Sequence, residues 1–537
     1  MPEMPVDEPG RSWWRDGVLY QIYPRSFMDA NGDGIGDLRG IIDRLDHLQW
    51  LGIDGIWLDP ITVSPNDDWG YDVADYCDVD PALGTLADAD ELIAEAGRRG
   101  IRVILDLVPN HTSDRHPWFV DARSSRSADH RDWYVWADAQ PDGSPPNNWV
   151  NSFDPGKPAW TRDEATGQYY LHNFLASQPD LNWWNEDVRG AFDEIFRFWY
   201  DRGVAGFRLD VAHAVVKDRE LRDNPPATKD DHPHVQMRGQ RQTYNAGRPE
   251  VHEVLRRWRE LSEEYTPPRI LVGETYVFEP ELLAQFYGQG DEVNLAFNMM
   301  FLHAKFNVDE IRAAVEHAER LIPPDCWPTW AAGSHDNRRV ATRWGDNDPA
   351  KTRAAMVMVM GLRGTPFLYY GEELGMPETS VHAARVLDPV GKLHGPRIGR
   401  DPERTPMQWT DAPGAGFTLA GVEPWLPFGD PATCNVERQR HDPDSMLSLT
   451  RDLIGLRNAI PDLRRGSYRT LPVTDGSLWA WARGDRTLVA CNLGDAPATV
   501  PDVDGEIRIS TIRARDGESV DGALHLAPWE AAIVWRR

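Results

Sequence analysis

Short apolar runs recur along the chain, and each is followed by polar or glycine-containing residues and then by an amphipathic pattern. The runs are continuous rather than alternating, which is typical of parallel strands that are covered on both faces. Eight of them predict β-strands: Val18–Pro24, Gly52–Pro60, Ile101–His111, Gly203–Asp210, Arg269–Thr275, Glu292–Asn298, Trp327–Asn337 and Gly364–Glu373.

The segments between these runs have the apolar spacing of helices. The first covers residues 38–51, and comparable patterns follow at residues 86–100 and 188–203. Alternating strands and helices predict βαβ units, and eight units predict an α/β fold of the (β/α)₈ TIM-barrel type. The alternative is a doubly wound open sheet. That fold normally carries a glycine-rich phosphate-binding turn after its first strand, and none follows Val18–Pro24.

The spacing of the runs predicts three structural units. Residues 1–110 and 188–461 form the barrel, with a long loop after the eighth strand. Residues 111–187 lie between the third and fourth strands, are rich in Trp, Asn, Asp and Pro, and predict a small inserted domain. From 462 to 537 the pattern changes to short strands and turns, which predicts a C-terminal antiparallel β-sandwich.

The composition limits the partners of the chain. It has 57 basic and 85 acidic residues, a net charge of −28, which argues against nucleic acids and anionic membranes as partners. The stretch Met1–Trp14 lacks the features of a signal peptide, and no apolar run reaches the ~18–20 residues of a membrane span. We therefore expect a cytoplasmic protein of undetermined oligomeric state. Four widely separated cysteines indicate neither a zinc site nor a disulfide framework: Cys77, Cys326, Cys434 and Cys491.

Charged and polar side chains follow several of the predicted strands. They are Asp106, Asn110, His111, Arg208, Asp210, Glu274, His335 and Asp336. Because chemistry in a TIM barrel lies at the carboxyl ends of the strands, these groups are expected to share one rim, although each alone is equally consistent with a cap or an ion pair. Converging carboxylates without a phosphate loop predict cleavage of a glycosidic bond. A carboxyl separation of about 5–5.5 Å would give retention and about 6.5–9.5 Å inversion, which the sequence leaves open.

Four segments resemble the signature segments of glycoside hydrolase family 13, the α-amylase family, and occur in the family's order: DLVPNHTS (106–113), GFRLDVAHA (206–214), VGET (272–275) and GSHDN (333–337). Three further segments resemble its α-glucosidase and oligo-1,6-glucosidase branch: DWGYDVADY (68–76), QPDLNW (178–183) and GRDPERTPMQW (399–409). The resemblance implies small α-glucoside substrates and no organic cofactor.

The resemblance also implies roles for individual residues. Asp210 matches the nucleophile, Glu274 the general acid/base and Asp336 the third carboxylate. Arg208 shares a strand face with Asp210, so its cation would favour the ionised carboxylate. The substrate-binding positions are Asp68, Tyr71, His111, Arg208, His335 and Arg400. Asp68 and Arg400 match a pair that closes the pocket behind the non-reducing end, and the alternative for Arg400 is an ion pair in a surface loop.

We therefore expect a retaining exo-α-glucosidase that acts on maltose and short malto-oligosaccharides, with transglucosylation when a sugar replaces water. A valine at the position of Val211 resembles the α-1,6-specific members of the family. The longer stretch Asp210–Asp218 resembles α-1,4-glucosidases, and because it carries more information we expect α-1,4 specificity. The alternatives are an oligo-1,6-glucosidase or a sucrose or trehalose hydrolase of the same family. A non-catalytic amylase-like binding protein is disfavoured, because all three matching carboxylates are present.

The segment DANGDGIGD, residues 29–37, places oxygen-bearing groups at alternate positions around glycines. Asp29, Asn31, Asp33, Ile35 and Asp37 match positions 1, 3, 5, 7 and 9 of an EF-hand loop, with the Ile35 carbonyl as one ligand. Position 12 is Gly40 instead of glutamate, so this is no true EF-hand. The family resemblance implies a structural Ca²⁺ or Mg²⁺ at this loop, and a metal-free Asp/Gly turn is the alternative.

Overall fold

The computed structural model describes residues 11–537, so most of the stretch assessed for a signal peptide lies outside the described residues. Its largest sheet has eight parallel strands, and each lies inside one of the eight predicted runs. They are β1 (Leu19–Ile22), β2 (Gly55–Leu58), β3 (Arg102–Leu107), β4 (Gly206–Leu209), β5 (Ile270–Gly273), β6 (Leu295–Ala296), β7 (Thr329–Ala331) and β8 (Thr365–Tyr369).

The strands of this sheet are hydrogen-bonded in the order β6-β5-β4-β3-β2-β1-β8-β7. A parallel bridge between Phe297 and Thr329 joins the two remaining edges, β6 and β7, so the sheet closes on itself. The predicted TIM barrel is therefore confirmed, and the open sheet is excluded. In the register of the barrel Asp106 of β3 pairs with Arg208 of β4, which brings two strand-end charges side by side.

Helices surround the barrel, and local signals set their ends. The helix Leu38–Leu51 begins after Asp37, whose side chain accepts a hydrogen bond from Gly40 N, and ends at Gly52 with φ 92°. The other long helices are Leu86–Arg98, Glu186–Asp201, Val251–Glu263, Val308–Leu321, Pro349–Gly361 and Met446–Ala459. Shorter helices include Pro24–Phe27, Pro117–Ala122, Pro233–Arg238, Pro280–Gln285, Met299–His303, Pro389–His394 and Val436–Arg440.

An excursion between β3 and β4 carries its own small antiparallel sheet. Its strands are Trp136–Ala137, Tyr169–Leu171 and Trp160–Arg162, in that spatial order. A bridge between His111 and Asp180 joins the two ends of the excursion. The excursion therefore stands directly over the carboxyl end of β3.

The C-terminal part packs two antiparallel sheets against each other. One sheet has six strands in the order Tyr468–Thr470, Leu478–Arg483, Thr487–Asn492, Ala531–Arg536, Gly505–Ser510 and Ser519–Val520. The other pairs Ala498–Pro501 with Ala523–Leu526. Buried aliphatic side chains from both sheets form one core, as the β-sandwich prediction requires. No helix within residues 11–537 has the length and apolarity that crossing a bilayer requires.

Candidate active site

Three of the central charged residues come from two adjacent barrel strands, β4 and β5. Arg208 lies in β4, and Asp210 and Glu274 follow the ends of β4 and β5. Leu209 pairs with Gly273 in the register of these strands, so Asp210 and Glu274 are the next facing positions. Neighbouring strands lie about 4.8 Å apart, so the two carboxyl groups start from backbone positions that are close together.

One buried guanidinium, that of Arg208, contacts three carboxylates. Its Nη1 donates to Asp106 Oδ1 at 2.9 Å and to Asp210 Oδ1 at 2.7 Å. Its Nη2 lies 2.9 Å from Glu274 Oε2. Arg208 is only 1 % exposed, so these interactions are little screened by water.

The environment of Asp210 acts on its ionisation in two opposite directions. Burial raises the pKa of Asp210 well above its ordinary value, and the Arg208 guanidinium acts against that rise. The sequence interpretation considered only the arginine and missed the larger effect of burial. Because Asp210 is only 6% exposed, its ionised form depends on the Arg208 cation beside it.

The residue after Asp210 adopts an unusual backbone conformation. Val211 has φ 46° and ψ 38°, in the left-handed region that β-branched residues rarely adopt. Its amide donates to Glu274 Oε2 at 2.9 Å. The turn therefore directs a backbone donor at Glu274, and only Oε1 of that carboxyl group lacks an Arg208 or Val211 donor.

Asp336 lies opposite, among two guanidinium groups. Arg400 Nη1 lies 3.1 Å and Arg404 Nη2 2.9 Å from its Oδ1, and His335 Nε2 lies 3.1 Å from its Oδ2. Burial would raise the pKa of Asp336, but His335, Arg400 and Arg404 outweigh it and hold that pKa well below its ordinary value. These three partners therefore favour the ionised form of Asp336.

A second group of polar side chains also contributes to the site. Arg400 Nη2 lies 2.6 Å from Asp68 Oδ1, and the Gln178 amide donates to Asp68 Oδ2 at 3.2 Å. The Tyr71 hydroxyl donates to Asp106 at 2.9 Å. Burial lowers the pKa of His111 to about 4, so this imidazole is neutral at pH 7. Arg400, with a side chain that is 12% exposed, is thus a partner of the site and not part of a surface ion pair.

These groups border a single pocket of about 320 Å³ at the carboxyl ends of the strands. Seven of the sequence-predicted residues line it: Asp68, Tyr71, His111, Asp210, Glu274, Asp336 and Arg400. The other two, Arg208 and His335, are each 1 % exposed and contact carboxylates that line the pocket. All nine are therefore brought together around one cavity.

The sequence interpretation missed several residues of this site. Arg404 contacts Asp336, and Asp388 lies 2.7 Å from Arg400. Phe153 and Phe174, which belong to the excursion between β3 and β4, form an apolar part of the pocket wall. The GRDPERTPMQW and QPDLNW segments already contained Arg404 and Gln178, so closer attention to them would have found these two residues. No comparable signal marks Asp388 or Phe153.

The loop at residues 29–37 holds its side chains in a network of backbone hydrogen bonds. Asp29 accepts from Gly32 and Gly34, and Asp37 accepts from Ala30, Asn31 and Gly40. A Cβ at Gly40 would lie 2.0 Å from the Met28 carbonyl oxygen, so a glutamate does not fit at this position. Within residues 11–537 no three His, Cys, Asp or Glu side chains converge closely enough to hold a metal. The carboxylate, amide and carbonyl oxygens of this loop are of the chemical type that Ca²⁺ and Mg²⁺ prefer.

Comparison with known proteins gives consistent matches over the chain. The family model of the α-amylase catalytic domain matches residues 21–466, and a model of a domain of unknown function, DUF3459, matches residues 473–533. A "Probable alpha-glucosidase" of Rhizobium meliloti (strain 1021) is 44% identical over 545 residues, covering 98% of this chain and 97% of that protein. An "Oligo-1,6-glucosidase" of Heyndrickxia coagulans is 35% identical, covering 97% and 99%. The crystal structure of an α-glucosyl transfer enzyme is 39% identical with a TM-score of 0.89, covering 98% and 99%.

The conformation of Val211 predicts an unusual response to glycine. A valine in the left-handed region carries strain of about 1–3 kcal/mol, which glycine releases. We expect Val211→Gly to lower Tm by much less than Val386→Gly. Val386 is also a partly buried valine, but its φ is −66°. Scanning calorimetry of both variants checks this, and equal losses in Tm would contradict the strain.

Proposed function

The chain belongs to the α-amylase family, glycoside hydrolase family 13, and on that premise we propose that it is a retaining exo-α-glucosidase that releases glucose from α-1,4-linked maltose and short malto-oligosaccharides. The observation that carries this proposal is the sharing of one buried guanidinium by Asp210 and Glu274 beside a pocket that an ion pair closes at one end.

In the first step Asp210 acts as the nucleophile. Its carboxylate oxygen forms a bond to the anomeric carbon while the glycosidic C–O bond breaks. Glu274 Oε1 gives its proton to the departing oxygen, because Oε2 already accepts from Arg208 and Val211. The products of this step are a glucosyl ester on Asp210 and a free leaving group.

In the second step Glu274 acts as a base. Its carboxylate takes a proton from water, the water oxygen attacks the anomeric carbon, and the bond to Asp210 breaks. Two inversions give net retention, so glucose is released as the α-anomer. A sugar hydroxyl in place of water gives transglucosylation by the same route.

The closed end of the pocket supports exo action. Asp68 and Arg400, 2.6 Å apart, stand where a longer chain would have to continue past the reacting glucose. Asp336, held ionised by Arg400 and Arg404, offers a charged acceptor to the sugar hydroxyls. Only a chain terminus can then enter, and it enters with its non-reducing glucose first.

A second candidate is α-1,6 hydrolysis, and one residue favours it. Val211 lines the pocket beside the nucleophile and resembles α-1,6-specific members, and one relative is described as an oligo-1,6-glucosidase. The stretch from Asp210 to Asp218 favours α-1,4 linkages. Both activities use the same three carboxylates, so only the substrates separate them.

We also propose that the loop at residues 29–37 binds a structural Ca²⁺ or Mg²⁺. Asp29, Asn31, Asp33, Asp37 and the Ile35 carbonyl would hold the ion. Such an ion would neutralise the neighbouring charges of Asp29 and Asp37. Burial is the main cause that raises the pKa of Asp37, and the charge of Asp29 raises it further. No step of the reaction passes through this loop.

Replacing the nucleophile Asp210 is expected to abolish turnover without unfolding the protein. Asp210→Asn removes the attacking oxygen anion, so kcat on maltose should fall by several orders of magnitude while Tm stays close to that of the wild type. Asp485→Asn, at an exposed turn between the strands Leu478–Arg483 and Thr487–Asn492, is the matched control. Substantial residual turnover in Asp210→Asn would rule out its role as the nucleophile.

The linkage preference is tested with initial rates on maltose, isomaltose, sucrose and trehalose. We expect kcat/KM to be highest for maltose, and Glu274→Gln to lose activity on all four sugars because each leaving oxygen needs a proton. Proton NMR of the first product should show α-glucose. Release of β-glucose would contradict the double displacement, and a preference for isomaltose would replace α-1,4 by α-1,6.

Removal of the proposed metal is expected to lower stability. A ligand that binds only the folded state raises stability by RT ln(1 + [L]/Kd), so a chelator should lower Tm, and added Ca²⁺ or Mg²⁺ should restore it. Turnover by molecules that are still folded should change little. Asp33→Ala, which removes one exposed donor, should make Tm insensitive to the chelator. Identical melting curves of the wild type with and without chelator would eliminate the metal.

A further inference from the structure

An arginine that the mechanism does not use lines the same pocket. Arg238 ends the short helix Pro233–Arg238 in the loop after β4. Its Nη1 donates to the Gln242 side chain, and its guanidinium lies 5.7 Å from the centre of the Tyr276 ring. Gln242 and Tyr276 also line the pocket, so the three side chains form one wall.

Arg238 differs from the other arginines around this cavity in having no anionic partner. Arg208 and Arg400 each contact more than one carboxylate. Over residues 11–537 no carboxylate oxygen lies within 4.0 Å of the Arg238 guanidinium. In the same range its Nε and Nη2 make no hydrogen bond to a protein group, and neither is sealed from solvent. These donors are therefore accessible to a ligand in the pocket.

The position of Arg238 places it on the side of the leaving group. Tyr276 follows Glu274, the proposed proton donor, by two residues, and its amide donates to His213 Nδ1 at 3.2 Å. Asp68 and Arg400, of which Arg400 also contacts Asp336, line the part of the pocket that is proposed to bind the glucose. A group bound by Arg238 is therefore carried by the part of the substrate that departs.

The electrostatics of this wall favour an anion. Burial lowers the pKa of Arg238 from its ordinary value, because a desolvated cation without a counter-ion is unfavourable. Arginine nevertheless stays charged in proteins. Burial also lowers the pKa of the neighbouring His234 to about 4, so that imidazole is neutral at pH 7. The positive charge that an anion would meet on this wall is therefore that of Arg238. An oxyanion bound here would satisfy the free donors and offset the desolvation of the guanidinium.

We propose that Arg238 is a specificity residue that binds a carboxylate or phosphate group on the leaving part of the substrate, so that α-glucosides of acid-bearing alcohols or sugars are substrates. This inference rests on the proposed α-glucosidase function. The bond that breaks and the catalytic groups are unchanged, and only the recognition of the departing group is new.

Two substrates that differ by one anionic group test the proposal. Maltitol and maltobionate have the same α-1,4 bond to an open-chain six-carbon unit, but the unit of maltobionate ends in a carboxylate where that of maltitol has a hydroxymethyl group. We expect kcat/KM of the wild type to favour maltobionate by about tenfold or more, the scale of one charge-assisted hydrogen bond. Trehalose 6-phosphate against trehalose is the phosphate pair. The pair with the larger preference identifies the anion, and no preference in either pair overturns the proposal.

Variants of Arg238 separate a local contact from the charge of the whole protein. Arg238→Gln should bring the ratio of the two kcat/KM values to about one, and Arg238→Lys should retain part of the preference. Arg469→Gln removes the same charge from an exposed position in the C-terminal sheet and should keep the wild-type ratio. A preference that survives in Arg238→Gln, or that is lost in Arg469→Gln, contradicts the proposal.

A salt series on the wild type keeps the test independent of the folding of the variants. Raising the ionic strength from about 0.01 M to about 1 M shortens the Debye length from about 30 Å to about 3 Å, so the preference for the anionic substrate should shrink. Turnover of maltose and maltitol tests the α-glucosidase function separately: if neither is cleaved, the proposed function fails, whereas cleavage without a preference removes only the role of Arg238.

Discussion

The guanidinium of Arg208 holds the acidic residues of the site in one arrangement. Like charges from three neighbouring strands would otherwise repel one another, because the buried side chains of Asp106 and Asp210 are little screened by water. Arg208 reaches Asp106, Asp210 and Glu274 together because the closed barrel aligns β3, β4 and β5. The register of the sheet and the chemistry of the site therefore depend on each other.

Much of the fold was predictable because its signals are local. Continuous apolar runs mark buried parallel strands. Each of the eight predicted runs contains one strand of the barrel, from Leu19–Ile22 to Thr365–Tyr369. The strand-end carboxylates could be found in the same way, since their positions follow from the strands. Loops lack this periodicity. Asp388 and Arg400 lie in the same long segment after β8, and they meet because the chain between them turns back after the short helix Pro389–His394, a return that no apolar periodicity in its sequence predicts.

Burial was the second quantity that the sequence did not provide. The spacing of Arg208 and Asp210 predicted a contact, and the contact is present at 2.7 Å. The spacing could not tell how little water reaches Asp210, which determines how strongly its ionisation depends on the arginine. The left-handed turn at Val211 was likewise unpredictable, because valine does not favour it and only its surroundings impose it.

Under the proposed exo action, the ion pair between Asp68 and Arg400 would also determine how the sugars leave the cavity. A recess that is sealed at its inner end has a single passage, so the freed glucose must go out the way the chain came in. The shortened chain has to withdraw fully before that glucose departs, and it cannot slide forward by one unit while it remains bound. Each cleavage of a malto-oligosaccharide would then be a separate encounter, so the proposed function implies a distributive release of glucose.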